Sequence, residues 1–475
     1  MALAQLRVSQ PSPGRLGSQP SLWLDQDGVP LDLVGRTMFT VLIAYIIVNR
    51  VISDRFVLPF GASIRLHEVV LILLGLIWVV WLVREPRPLP NGMVGLSGLA
   101  LFAIVGLAPF IHALTATPYQ ANGAERGLMR LFMYTALFLI AFHLAFRLQT
   151  GKALLGWLVA ATVWQALFAV YEFVVARHVE FLDSLATSIG LVADPLSIRG
   201  AVDSVFERHT GEFRAVGTSP HPIVLSAVIA LAILVVGLWL LQSSNARQKR
   251  WLAAAAGILL LALPVSNSRT GFFIIALAVV PIAIVMLRQT PRMIMWSIPL
   301  LAGFALGAVL SPRTPRLVLN TFLNPGADEN TTIRIEQTAL LPQLLEERPF
   351  VGAGYLTQDP EVVVFDNAFN SWLLEMGVVG LGVLLIFLGA AFVACWRAAA
   401  RATGSERILP LAGVVAVIAL LAGGATFDAW TFDQFFPTAL ILLGLGVGRS
   451  AVILHRSPVA TSGGSERSPV PAGAD

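Results

Sequence analysis

Cysteine occurs once, at Cys395, and lysine twice, at Lys152 and Lys249. A lone cysteine excludes an internal disulfide and leaves no thiolate cluster for zinc or redox chemistry. The chain has no His-x-x-x-His pair, no P-loop and no Gly-x-Gly-x-x-Gly. Metal and nucleotide sites are therefore not expected, and no cofactor is expected either. Charge is also scarce: 13% of residues are charged, against about 25% in a soluble domain. The net charge of +4 is spread over many short connections, which is not the footprint of a nucleic-acid binder. What fills the chain is apolar, with 56% hydrophobic residues and a mean hydropathy of +0.77. Such a chain is organised around lipid.

The hydrophobic residues fall into twelve runs, near 37–49, 66–83, 94–114, 128–146, 153–175, 222–241, 251–265, 271–287, 294–310, 371–395, 409–425 and 434–452. Most reach or approach the ~20 residues that cross a hydrocarbon core. The expected fold is an all-α polytopic membrane protein of about twelve transmembrane helices. Residues 1–36 read as a disordered tail without signal-peptide character, and 453–475 as a second tail. Spans one to nine occupy 37–310, with an outer loop at 176–220. A large loop at 311–370 joins spans nine and ten, and 371–452 holds the last three. If both termini are cytoplasmic, the inner connections carry Arg84, Arg87, Arg147, Lys152, Arg247, Lys249, Arg250, Arg288, Arg292, Arg397, Arg401 and Arg407. Each is richer in basic than acidic residues, as the positive-inside rule requires. Both long polar stretches then face outward.

The longest polar interruption, Thr331–Gly377, contains an expected amphipathic helix. Asn330 or Thr331 would cap it, and Ile333, Leu340, Leu341, Leu344 and Leu345 would fall mostly on one face. A segment this polar between spans is where chemistry is expected, because the bilayer tolerates irregular backbone only under cover of protein or water. Three outer arginines stand out: Arg214 in GEFRAVGTSPHP, Arg269 in PVSNSRTGFF and Arg334 at the start of the expected helix. Each alone can be read as a snorkelling or ion-paired residue. Three in loops that converge make a phosphate-binding cluster, since the guanidinium fork matches phosphate oxygens. Asp366 and Asn367 open the tenth span in FDNAFNSWLLEMG, with Glu375 further down the same helix. Asp366 reads as a helix N-cap or as a chemical group, and Glu375 as a loop-holding or a functional acid. His209 and His221 flank Arg214. In the last outer turn, TFDAWTFDQFF, with Asp428 and Asp433, the residues Trp430, Phe432 and Phe435 read most simply as an interfacial aromatic belt, or, together with the acids, as the lining of a sugar path.

Taken in order, these stretches resemble the O-antigen ligase and polymerase family. The resemblance rests on RAVG (Arg214 to Gly217), SRTG (Ser268 to Gly271), Arg334, PFVGAG (Pro349 to Gly354) and DNAFNSWLLEMG (Asp366 to Gly377). It covers roughly 210–380. Members act at the outer face of the bacterial plasma membrane and move a glycan from a polyprenyl diphosphate to an acceptor hydroxyl. The resemblance implies that Arg214 and Arg269 hold the diphosphate, with Arg334 as a further loop arginine. It also implies that Asn367, Glu375 and His221 lie against substrate. Where the family carries a histidine before the asparagine, this chain carries Asp366. A carboxylate can take the acceptor proton, because departure of the diphosphate lets that proton leave late.

The expected activity is a metal-independent, inverting glycosyl transfer, with Asp366, Arg214 and Arg269 catalytic. Its partners are a polyprenyl-diphosphate oligosaccharide donor, a lipid-linked or envelope glycan acceptor and the bilayer, with other polysaccharide-assembly proteins as neighbours. Two alternatives stay open from the residues alone: a transporter or flippase, and a non-catalytic scaffold for lipid-linked glycans.

Overall fold

The computed structural model describes residues 33–52, 56–59, 64–84, 118–147, 150–175, 187–188, 190–193, 213–287, 329–346, 348–357 and 365–455. Its helices are α1 (Leu33–Val51), α2 (Leu66–Arg84), α3 (Pro118–Arg147), α4 (Gly151–Val175), α5 (Pro222–Gln242), α6 (Ala246–Val265), α7 (Arg269–Leu287), α8 (Glu329–Leu345), α9 (Ala368–Arg401), α10 (Ile408–Thr426) and α11 (Phe436–His455). Among the described residues nine helices are long and apolar enough to cross a membrane, and α7 contributes a shorter apolar stretch, Arg269–Val285. The chain is a helical, polytopic membrane protein. Ten of the twelve expected spans coincide with these helices. The spans expected at 94–114 and 294–310, His209, residues 1–32 and residues 456–475 lie outside the described residues.

Two expected boundaries shift. The first helix begins at Leu33, inside the segment expected as a tail (1–36). Its early polar residues are accommodated because the Thr37 and Thr40 hydroxyls donate back to Leu33 O (2.8 Å) and Arg36 O (2.9 Å). The tenth expected span starts at Ala368, inside the segment assigned to the outer loop, because Asn367 caps it by accepting from Phe369 N at 2.9 Å.

The centre of the bundle is α5, α10 and α11, which are apolar on all sides and the most buried. α10 packs against α5, α7, α9 and α11, and α11 lies along α3. Gly444 and Gly448 let α11 approach the α3 backbone at Phe138 and Phe142, the small-residue contact typical of membrane helices. α2 is peripheral, with Leu73, Leu76, Val79, Val80 and Val83 exposed and suited to lipid.

One face of the bundle collects the ends of α1, α4, α6 and α10 and the starts of α2, α5, α7, α9 and α11. Hydrogen bonds join them: Asn49 Nδ2 donates to Asp433 O (2.9 Å), Ala215 N to Val265 O (3.1 Å) and Ala368 N to Phe427 O (3.3 Å). A two-residue antiparallel pairing of Phe56–Val57 with Val192–Ala193 lies in the connections at this end. The opposite face carries Lys152, whose Nζ donates to Ser405 Oγ at 2.9 Å, and the Arg449–Glu406 ion pair at 2.7 Å. α2 and α3 both begin on the first face, as do α7 and α9.

α9 is broken at Gly377, whose φ of 67° and ψ of −177° belong to a region almost closed to other residues. The break exposes backbone groups, and residues 349–354 satisfy them. Val378 N and Val379 N donate to Pro349 O (3.0 Å) and Phe350 O (3.2 Å), while Ala353 N and Gly354 N donate to Leu374 O (3.1 Å) and Glu375 O (2.7 Å). Gly352, with φ of 70°, faces the break so closely that a Cβ on either glycine would overlap the other segment's backbone. The PFVGAG and EMG stretches are thus two halves of one joint. Gly123 and Gly127 of α3 let the other side of this segment, at Tyr355 to Thr357, come equally close.

Candidate functional site

Arg214 is positioned by the backbone that follows it. Val216 N (3.0 Å) and Gly217 N (2.6 Å) donate to one oxygen of Glu172, a buried acid near the C-terminal end of α4. Ala215 N reaches across to Val265 O, which brings the RAVG turn against the end of α6. Arg269 follows three residues after the Ser266 C-cap, as the first residue of α7. Ser226 of α5 holds that turn, donating to Ser268 O (3.4 Å) and accepting from Gly271 N (3.0 Å). A Cβ at position 271 would collide with Ser226, so the final glycine of SRTG is a packing requirement. The two arginines rise from adjoining turns.

His221 lies beside this pair. Its Nδ1 accepts from Ile223 N at 3.2 Å, which caps α5 ahead of Pro222. Burial, then the Arg214 guanidinium, lowers the imidazole pKa to about 3. It is neutral at physiological pH, and with Nδ1 occupied as acceptor its Nε2 carries the proton. His221 therefore offers a hydrogen-bond donor next to Arg214, and it is no proton acceptor.

A second group forms where α8 and the start of α9 meet the turn after α10. Arg334 donates through Nη2 to Thr426 O at 2.7 Å. Asp366 is exposed, and Asn367, not Asp366, is the α9 cap. The Asn367 side-chain oxygen is thereby engaged in the helix start. Asn370 Nδ2 ties α9 to α8 by donating to Thr338 Oγ1 (3.0 Å). Next to Asp366 lies Asp428, a partly buried carboxyl that accepts from Thr431 Oγ1 at 3.0 Å. Burial first, with the Asp366 charge adding to it, pushes the Asp428 carboxyl up to about 7. The apolar face of α8 is narrower than its sequence suggests. Leu341, Leu344 and Leu345 pack on Phe365, Leu373 and Leu374, whereas Leu340 points outward.

Beneath the same turn is an ion network that the sequence did not announce. Asp433 accepts from Arg65 and from the Tyr134 hydroxyl, and Arg130 Nη2 lies 3.2 Å from it. Arg130 also pairs with Glu68 at 3.1 Å, and His67 Nε2 is 3.6 Å from Asp433. Although burial opposes ionisation, the two guanidinium groups hold the Asp433 carboxyl well below its usual range. His67, Glu68 and Asp433 each place a ligand-type atom within 4.8 Å of the others. A dication there would sit against two arginines that already neutralise the acids, so the set does not fit a metal. Its only outward sign was polar residues at the edges of apolar runs: RLHE before α2 and ERGLMR in α3.

Glu375 is 3% exposed at the α9 break, where its backbone oxygen anchors Gly354. Its side chain stands near Tyr355, whose phenol burial and then Glu375 push well above the usual value. Tyr355 itself donates to Trp430 O at 2.7 Å. The aromatic-belt reading of the last turn fails. Trp430 and Phe435 are 1% and 0% exposed, because Trp430 packs on Trp372 and Phe369 and donates to Leu420 O at 3.2 Å.

The structure thus gathers the expected residues into two groups, Arg214–His221–Arg269 and Arg334–Asp366–Asn367, on one end of the bundle. α10, whose C-terminal end carries the second group, packs against both α5 and α7, which start in the first. Glu375 lies one layer below, at the break. No family model matches the chain, and neither does any curated protein.

Proposed function

We propose that this protein is a membrane glycosyltransferase of the O-antigen ligase and polymerase type, acting at the outer face of a bacterial plasma membrane with both termini cytoplasmic. The observation that carries the reading is the hydrogen bond from Ala215 N to Val265 O, which joins the two arginine-bearing turns beside the end of α10. Two guanidinium groups and a neutral imidazole donor in adjoining turns suit a diphosphate better than a monoanion. The acceptor hydroxyl attacks the anomeric carbon, the bond to the diphosphate breaks, and its electron pair stays with a diphosphate held by Arg214 and Arg269. Asp366, exposed and at the mouth of the second group, takes the hydroxyl proton. Arg334 steadies the loop through Thr426 and faces the same end.

A charged contact of this kind is worth roughly 10²–10³ in rate. Arg269→Ala and Arg214→Ala, each reconstituted in lipid, are expected to lose at least that much transfer from a polyprenyl-diphosphate oligosaccharide while keeping the wild-type elution profile. Wild-type product length from Arg269→Ala refutes the assignment. The break at Gly377 favours one second reading, since transporters bind substrate at discontinuous helices. The break lies nine residues into a 34-residue helix, about 14 Å from its outer end at 1.5 Å per residue, and not at its middle. Movement of a lipid-linked glycan across proteoliposomes with no new glycosidic bond would select that reading.

A further inference from the structure

Asp428, to which the sequence assigns no catalytic role, is the acid best placed to complete the site. It opens the turn after α10, and its neighbour Phe427 accepts from Ala368 N at 3.3 Å, which clamps the turn to the start of α9 two residues after Asp366. Thr431 donates to it from within the turn. Ser371, one helical turn into α9 and 3% exposed, directs its hydroxyl toward Asp428. A buried hydroxyl and a carboxyl side by side at the end of the bundle mark a place for a third polar group. The charged and titratable groups around Asp428 are Asp366 from α9, Arg334 on Thr426 from α8, Tyr355 from the segment that plugs α9, and Asp433 in its own turn.

We propose that Asp366 and Asp428 work as one carboxyl pair that starts ionised, receives the proton of the acceptor hydroxyl and then holds that single proton between them, with Ser371 orienting that hydroxyl. This rests on the glycosyl-transfer reading for its substrate, though the pair itself does not. Two neighbouring carboxyls in unlike surroundings separate their proton affinities, and the more buried one becomes the stronger base. Asp428, lifted to about 7, is matched to neutral pH in a way that an ordinary carboxylate is not. In the step, the acceptor oxygen bonds to the anomeric carbon and the carbon–diphosphate bond breaks. The hydroxyl proton is taken by Asp366, comes to rest on Asp428, and returns to water through Asp366, which faces solvent.

The test uses the full chain in lipid nanodiscs with two readouts. Infrared titration of the protonated-carboxyl stretch is expected to show a group titrating near 7 in the wild type, absent in Asp428→Asn. In Asp366→Asn it should move about one pH unit lower, and in Ser371→Ala it should move higher, because a donor that favours the charged form is lost. A stretch that survives Asp428→Asn, or that ignores Asp366→Asn, overturns the pair. Transfer rates against pH are expected to show an acid limb at the same midpoint, shifting with it in Asp366→Asn and Ser371→Ala. Asp428→Asn should lose on the order of 10²-fold or more at neutral pH. A titrating pair in a protein that makes no product leaves the pair standing and removes the catalytic role. An acid limb unmoved in both variants overturns the shared base.

Discussion

At the scale of single residues, the two acids of the last outer turn have opposite environments and opposite consequences. Asp433 is held ionised by Arg65 and Arg130, so its folded pKa lies below its unfolded one. Its contribution is present above the ordinary carboxylate range and is lost as pH falls through the depressed value. Asp433→Asn leaves the half-buried Arg65 and Arg130 short of a partner, though Arg130 keeps Glu68, and is expected to cost about 1–3 kcal/mol, measurable as a lowered midpoint in thermal unfolding from detergent. Asp428 has the reverse sign. Its raised pKa means that the folded protein holds a proton the unfolded chain releases. Wild-type stability should therefore decline as pH climbs from about 4 to about 7, and Asp428→Asn should flatten that decline. Melting curves across this window check both. Little of this was legible in the sequence: the partners of Asp433 lie more than 290 positions away, and no local pattern reports such a distance. Arg214, Arg269 and Asp366 could be singled out as candidates because polar residues next to apolar runs are few.

At the scale of elements, the joint between the 349–354 segment and α9 is the feature that gives the site its shape. It buries Glu375 and brings Tyr355 under the last outer turn. Gly377→Ala must adopt a conformation costing about 1–3 kcal/mol and would also press a Cβ into the backbone of the plugging segment. The expected outcome is a released plug, read as faster hydrogen exchange at Ala353, Gly354, Val378 and Val379 with the amides of α10 and α11 unchanged. Unaltered exchange would mean that the joint is not held by those four bonds. The sequence displayed the glycines and their order, but φ at position 377 depends on a segment more than twenty residues earlier. The helices were easier to foresee. Length and hydropathy of a run decide whether it spans, and each expected run outside the undescribed stretches falls inside or within a few residues of one of α1 to α7 and α9 to α11, though α3 begins ten residues before its run. Errors came at polar ends, where capping by Asn367 and back-bonding by Thr37 extend helices past their apolar cores.

At the scale of the whole molecule, the fold presents two unlike faces, one carrying the arginine turns and one carrying Lys152, Glu406 and Arg449. The proposed orientation puts the first outside the cell. Cys395 is fully buried, so the wild type should react weakly with an impermeant maleimide. Ser188→Cys, exposed in the stretch that holds the Val192–Ala193 pairing, should label in intact cells, and Ser405→Cys, exposed on the other face, only after lysis. The opposite pattern would invert the topology and place the arginines away from lipid-linked glycan.

The account turns on one chemical event, the joining of a sugar hydroxyl to a glycan released from its lipid diphosphate. Purified protein incubated in lipid with a polyprenyl-diphosphate oligosaccharide, followed by mass analysis, observes that event directly. The expected result is a product lengthened by whole oligosaccharide units, together with an equal amount of free polyprenyl diphosphate. Donor recovered intact under conditions where the protein remains folded would contradict it.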